Sequence, residues 1–223
     1  GVTIRFLFFY LATVTLVTCA FLLIWIKNTI AKSIDTKNKV VNLEDESIKY
    51  DKLLIATGAK SFIPPIKNIK EGNNIYSLRD IEDVFYIKEK IKKSKKVAII
   101  GAGLIGIDVL TSLLEINNLE VSLIYPNDYI LDLQLDEYSA KIYERKFIER
   151  GAKLYSSLPV NQIILDDNKN VKGVELGDNS IVKCDLLIVA TGVRPNTEIL
   201  RNTDIEENRG IVINNKCETS AKE

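Results

Sequence analysis

Residues 96–108 read KVAIIGAGLIGID, an apolar run that ends in Gly101-x-Gly103-x-x-Gly106 and passes directly into a helical pattern. Each glycine answers a separate physical need. Gly101 lets the chain turn sharply at the end of a strand. Gly103 lets backbone approach a pyrophosphate with no Cβ in the way, and Gly106 lets the following helix pack close to the strand. The helix start then presents the N–H groups of Leu104 and Ile105, with the positive end of the helix dipole, to an anion. The context is a preceding strand at Val97–Ile100, a helix from Leu104 towards Ile116 and a second strand from Glu120 to Tyr125. Together these predict a dinucleotide site; the simpler alternative is a glycine turn with no ligand.

Two further segments share one pattern, YDKLLIATG at 50–58 and CDLLIVATG at 184–192. Each is an acid-led apolar run closing on small residues that permit close contact between backbone and ligand. Composition narrows the chemistry further. The 223 residues contain no histidine, which removes the commonest proton shuttle and any Ser-His or Cys-His nucleophile pair. No catalytic side chain is therefore assigned, and a bound cofactor must carry any reaction. The three cysteines, Cys19, Cys184 and Cys217, form no CxxC pair, so neither a disulfide framework nor a metal site is expected. Thirty basic residues balance thirty acidic ones, and no nucleic-acid partner is implied.

Local patterning supplies the elements that must position these loops. Short strands are expected at 39–43 and 47–50, and a buried strand at Leu53–Ala56. An amphipathic helix is expected over 78–93 and another over 135–150, the latter stopped by Gly151. Alternating residues at 160–165, 171–176 and 180–183 predict an antiparallel meander. A last buried strand runs from Leu186 to Ala190. The result is an α/β, Rossmann-like, three-layer domain: a βαβαβ core with a β-meander inserted before its last strand.

The N-terminus differs in kind. Phe6 to Ile26 is 21 residues without a charge, long enough as a helix to span roughly 30 Å of hydrocarbon. Arg5 precedes it, and Lys27, Lys32, Lys37 and Lys39 follow, a bias that places the C-terminal side in the cytoplasm. Three readings stand: a transmembrane anchor, a junction with a foreign apolar stretch, or a buried core helix. The anchor implies a membrane partner with the rest of the chain cytoplasmic. Without it the whole chain is expected in the cytoplasm.

The segments YDKLLIATGAK, SLRDIEDV, VAIIGAGLIGID, CDLLIVATGVRPNTEIL and RGIVINNKCETS together resemble the pyridine nucleotide-disulfide oxidoreductases, a family of flavoproteins with two dinucleotide sites. The likeness is nearest to the branch of NADH oxidases, rubredoxin reductases and coenzyme A-disulfide reductases, and covers about Thr29 to the C-terminus. It implies NAD(P)H and FAD as cofactors. Gly101, Gly103 and Gly106 would hold the nicotinamide dinucleotide's pyrophosphate, and Gly192 and Val193 would line the nicotinamide through their backbone. Asp108 stands where the family usually has a glutamate beside the nicotinamide, one methylene shorter; the plain alternative is a solvated acid near the helix start. Ala56, Thr57 and Gly58 would border the flavin domain, with Lys60 and Arg79 as weaker candidates there.

The resemblance also has gaps. Nineteen residues after Gly106, where an acid would accept hydrogen bonds from the adenosine ribose, the chain has Tyr125, which would either stack or pack. No arginine cluster for a 2′-phosphate lies nearby, so NAD is slightly favoured over NADP. The family's FAD-binding glycine motif is expected upstream of Thr29 and does not occur in these residues. The implied organisation is an apolar helix at 1–27, part of a flavin domain with connecting strands at 28–77, the NAD(P)-binding domain at 78–195, and a return to the flavin domain at 196–223. Such a chain is expected to bind nicotinamide nucleotide with little turnover by itself. A partner chain completing the flavin site, or a non-catalytic binding module, are the alternatives.

Overall fold

The computed structural model describes residues 29–221. They divide into two units, one formed by Ser61–Val193 and the other by residues up to Lys60 together with those from Arg194 onward. In chain order the elements are β1 (Ser33–Asp35), β2 (Val40–Asn42), β3 (Ser47–Lys49), β4 (Ala59–Ser61), β5 (Ile75–Ser77), α1 (Ile81–Ile91), β6 (Lys96–Ile100), α2 (Leu104–Leu113), β7 (Glu120–Ile124) and α3 (Glu137–Glu149). Then follow β8 (Lys153–Tyr155), β9 (Val160–Leu165), β10 (Val171–Leu176), β11 (Ile181–Lys183), β12 (Leu186–Val189) and β13 (Val193–Pro195).

The larger unit is built on a five-stranded sheet of order β5-β12-β6-β7-β8. Every pairing in it is parallel. Strands of this kind need cover on both faces, which is why their sequences are continuous apolar runs rather than alternating ones. Side chains still alternate between the faces. Val97, Ile99, Val121, Leu123, Leu186 and Ile188 pack with Ile87 of α1, Leu110 and Leu113 of α2, and Phe147 of α3. Ala98, Ile100, Ile124, Leu187 and Val189 pack on the other side with Ile163, Val174, Leu176 and Val182 of the meander. Helices, parallel sheet and the antiparallel β11-β10-β9 sheet thus form three layers, with the meander inserted before β12.

Helix boundaries follow capping chemistry. Asp80 accepts from the Asp83 N–H while the Asp83 carboxylate accepts from the Asp80 N–H, so α1 starts at Ile81 and not at Leu78. Asp136 caps α3 through the Ser139 N–H at 2.7 Å. Gly151, with φ +96°, follows the Arg150 C-cap in the left-handed conformation expected of a helix stop. Helix α2 has Gly103 at its N-cap, and no side chain caps it.

The second unit is smaller. Strands β1, β2 and β3 form an antiparallel sheet whose core is Ala31, Ile34, Val41, Leu43, Ile199 and Leu200. Here one expectation is corrected. Leu53–Ala56 is not a strand: no ladder pairs it, and Leu54 is 71% exposed. An apolar run becomes a buried parallel strand only between two partner strands, and the described residues supply none at this point. The apolar helix expected over 1–27 lies outside the described residues. Among the described residues no helix is long and apolar enough to cross a membrane.

Candidate dinucleotide site

The glycine loop sits where three parallel strands end side by side. The Gly101 N–H donates to the Ile124 carbonyl at the end of β7, at 2.9 Å, and the Ala190 N–H after β12 donates to the Ile100 carbonyl at 2.8 Å. Gly101 has φ +107°, and a Cβ there would collide with the Ala190 carbonyl. A Cβ on Gly106 would collide with the Gly101 carbonyl oxygen. Helix α2 is thereby pressed onto its own loop at Gly106, and the loop in turn lies against the backbone of Ala190, just after β12, at Gly101.

Gly103 is the opposite case, since a Cβ there would meet nothing within 4 Å. It lies open at the start of α2, flanked by Leu104 and Ile105, which are 59% and 47% exposed. The first N–H groups of a helix have no acceptor within it. With no capping side chain and no acid in the first turn, those of α2 keep their donors and their positive dipole end for an external anion. The cradle fits a pyrophosphate: it is open at the one glycine where a phosphate would approach and filled at the two where it would not.

The neighbouring strand ends add Gly192 and Val193. Gly192 has φ +93°, and its carbonyl accepts from the Phe62 N–H at 2.9 Å. The Thr191 hydroxyl donates to the Phe62 carbonyl, so this turn is held by the chain entering the unit, with Val193 half exposed beyond it. Asp108 is exposed on α2, on the wall of an apolar groove of about 880 Å³ between α1 and α2 that also includes Leu78, Val84 and Ile116. Arg79 is exposed just before α1, and its backbone N–H donates to the Asp83 carboxylate.

Tyr125 follows β7 directly and is 2% exposed. Its hydroxyl donates to Glu144 Oε1 at 2.9 Å. The same oxygen accepts from the Ile130 N–H at 3.1 Å, and Glu144 Oε2 accepts from Lys141 Nζ at 2.9 Å. Burial, reinforced by the Glu144 charge, pushes the phenol far above its ordinary pKa, so it remains a donor. Glu144 was not singled out from sequence. The available signal was its place on the inward face of α3, between Ala140 and Phe147, where a charge needs buried partners.

The other expected residues form their own cluster in the smaller unit. Buried Asn196 donates from its side chain to the Thr57 carbonyl and from its backbone to the Gly58 carbonyl, both at 2.9 Å. Its own carbonyl accepts from the Thr57 hydroxyl at 2.6 Å. Gly58 has φ +66° and open space around it, next to exposed Ala56. Lys60 is ion-paired with Glu198. Asn196 is a further residue missed in sequence; it lies inside the GVRPNTEIL segment without any periodic signal.

A parallel sheet with a glycine loop at its carboxyl edge, running into a helix whose N-terminus is free, defines a dinucleotide-binding domain of the Rossmann type. Comparison with known proteins narrows the class. The profile of the pyridine nucleotide-disulphide oxidoreductases matches residues 22–223, and the chain belongs to that family. It is 33% identical over 199 residues to the NADH-rubredoxin oxidoreductase of Clostridium acetobutylicum, covering 89% of this chain and 48% of that protein. Against the nitrite reductase (NAD(P)H) of Bacillus subtilis it is 32% identical over 187 residues, 83% of this chain and 23% of the relative. The chain thus spans between about a quarter and about half of these relatives. Among solved structures, the NAD-dependent persulfide reductase from A. fulgidus superposes with a TM-score of 0.79 at 29% identity, over 86% of this chain and 36% of that one. The reductase of the covalent putidaredoxin reductase–putidaredoxin complex does so with a TM-score of 0.81 at 26% identity, over 86% and 47%. The cofactors of the family are NAD(P)H and FAD.

Neither described cysteine lies at the glycine loop. Cys184 is buried beneath the meander, and burial pushes its thiol up to about 12; Cys217 is exposed. At pH 8 an alkylating reagent is expected to modify Cys217 and leave Cys184 untouched until denaturant is added, as read by peptide mass mapping. Because burial lifts the folded thiol from its ordinary value near 9 to about 12, its contribution to stability is full below pH 9 and is lost as pH rises towards 12. Equal labelling of both cysteines in the native protein would contradict this burial.

Proposed function

We propose that this chain is the NAD(P)H-binding portion of an FAD-dependent oxidoreductase, in which hydride passes from a bound nicotinamide to a flavin. The observation that carries the reading is the open Gly103 cradle at an uncapped helix start, between two glycines packed too tightly to accept a side chain. In this reading Gly101, Gly103 and Gly106 with the N–H groups of Leu104 and Ile105 hold the pyrophosphate. Gly192 and Val193 face the nicotinamide through their backbone, and Asp108 lies beside it. Ala56, Thr57 and Gly58, held by Asn196, border the flavin side together with Lys60 and Arg79. Residues 78–195 are assigned to nucleotide binding, and 28–77 and 196–223 to the flavin side. NADH titration followed by nucleotide fluorescence is expected to saturate, and Gly103→Ala, which meets no neighbour, to fold normally and bind at least tenfold more weakly. Absence of saturable binding at millimolar nucleotide would refute the reading.

The glycine fingerprint occurs once in these residues, and the family uses two dinucleotides. We therefore assign the flavin's own glycine motif to sequence outside these residues or to a partner chain. Flavin absorbance is expected only in preparations that contain such additional sequence; a yellow, flavin-saturated preparation of these 223 residues alone would contradict the assignment.

The 21 uncharged residues from Phe6 to Ile26, with lysines following, support a membrane tether with the nucleotide site in the cytoplasm. The chain is then expected to stay with membranes through an alkaline carbonate wash. Release into the supernatant would favour an untethered cytoplasmic chain.

A further inference from the structure

The adenosine end of the nucleotide site departs from the usual chemistry. A dinucleotide whose pyrophosphate lies on the Gly101–Gly106 loop places its adenosine ribose over the end of the next parallel strand, where an acidic side chain accepts from the ribose hydroxyls. That strand is β7. Its end is tied to the loop by the Gly101 N–H bond to Ile124, and the connection after it is tied by the Leu131 N–H bond to the Ala102 carbonyl, both at 2.9 Å.

The residue at this point is Tyr125, and its side chain is turned inward. The phenol is committed to Glu144, and both Glu144 oxygens are occupied by Tyr125, Ile130 and Lys141. Pro126, next in the chain, has no N–H to offer. The acids that follow are also engaged: Asp128 accepts from the Ser157 hydroxyl at 2.8 Å, and Asp132 from the Asn127 amide at 2.6 Å. Residues 125–132, YPNDYILD, contain no lysine or arginine to receive a 2′-phosphate. Lys141, the nearest cation along this network, spends its ammonium on Glu144 and the Asp128 carbonyl.

We propose that buried Glu144 holds Tyr125 away from the nucleotide and leaves the strand end without a ribose-reading carboxylate, so that NADH and NADPH bind this chain with nearly equal affinity. This rests on the nicotinamide-nucleotide reading given above. Discrimination between the two nucleotides needs either a carboxylate that bonds the 2′-hydroxyl and repels a phosphate, or a cation that receives the phosphate. Tyr125, at the strand end itself, presents neither, and the two acids beyond it are tied to the Ser157 hydroxyl and the Asn127 amide. Affinity then comes from the pyrophosphate and the nicotinamide, which the two nucleotides share.

The test is parallel titration of the full chain with NADH and NADPH at fixed ionic strength. Dissociation constants within fivefold of each other are expected, and a preference of fivefold or more in either direction overturns the inference. Tyr125→Phe, which removes only the hydroxyl, is expected to lower thermal stability while changing NADH affinity less than threefold. A larger loss in a folded protein would place the phenol on the nucleotide and overturn the inference. The double variant Tyr125→Asp with Glu144→Leu restores a carboxylate at the strand end and removes the buried charge facing it. It is expected to favour NADH by tenfold or more; if it folds and shows no such preference, the inference fails. Should the double variant not fold, the wild-type ratio and the Phe variant still decide. Failure of both nucleotides to bind the unaltered chain would refute the nucleotide-binding reading itself.

Discussion

The glycine loop depends on backbone meeting backbone at two points where no side chain can intervene. Gly101 lies against the carbonyl of Ala190, and Gly106 lies against the carbonyl of Gly101. These contacts bring the end of β12, the end of β6 and the first turn of α2 into one small volume. Every candidate nucleotide contact in the larger unit except Arg79, Asp108 and Tyr125 is an outgrowth of that volume. A single methyl at either glycine would force the helix off the sheet, and the free N–H groups would no longer converge. The sheet supports this arrangement by being buried on both faces. Its strands cannot shift register without exposing apolar residues to water or driving polar ones into the core.

Polar groups near the loop are treated in two ways. At the start of α2 the donors are left without partners, which is tolerable only because they face solvent or an anion. Twenty residues on, Tyr125 and Glu144 are buried, and there every atom has a partner. An unpartnered carboxylate in that position would be costly, and the three donors around Glu144 offset its desolvation. The same contrast appears in the smaller unit. Buried Asn196 satisfies the carbonyls of Thr57 and Gly58 while Gly58 itself keeps open space beside it. In both units, rigid inward bonding supports backbone that is left clear outward.

Much of the fold was legible because its signals are local. The β6–α2–β7 unit combines continuous apolar strands, helical periodicity and glycines at the strand-to-helix turn, and each of these acts over a few residues. The meander was legible from alternation and from the Asp166-Asp167-Asn168 and Gly177-Asp178-Asn179 turns. Helix starts were placed a few residues early, since the aspartates at 80 and 136 end the helical hydrogen bonding while the apolar pattern continues past them. Leu53–Ala56 was misread. Its apolar run describes a strand's side chains but says nothing of partner strands, and no strand of the described residues pairs with it.

Sequence by itself determined the βαβ order, the place of the glycine loop and, through the quoted segments, the family. Those features depend on residue type and on spacing along the chain. It left open whether Tyr125 would stack or pack, because a side chain's direction at a strand end depends on what lies across the sheet. Only the tertiary structure brings Glu144, nineteen residues away on the inward face of α3, under the phenol, and likewise clasps Asn196 onto Thr57, 139 residues earlier. The physical reason is the same in both cases. A buried polar atom takes the partner that the packed chain brings within about 3 Å, and that partner is chosen by the fold and not by its neighbours in sequence.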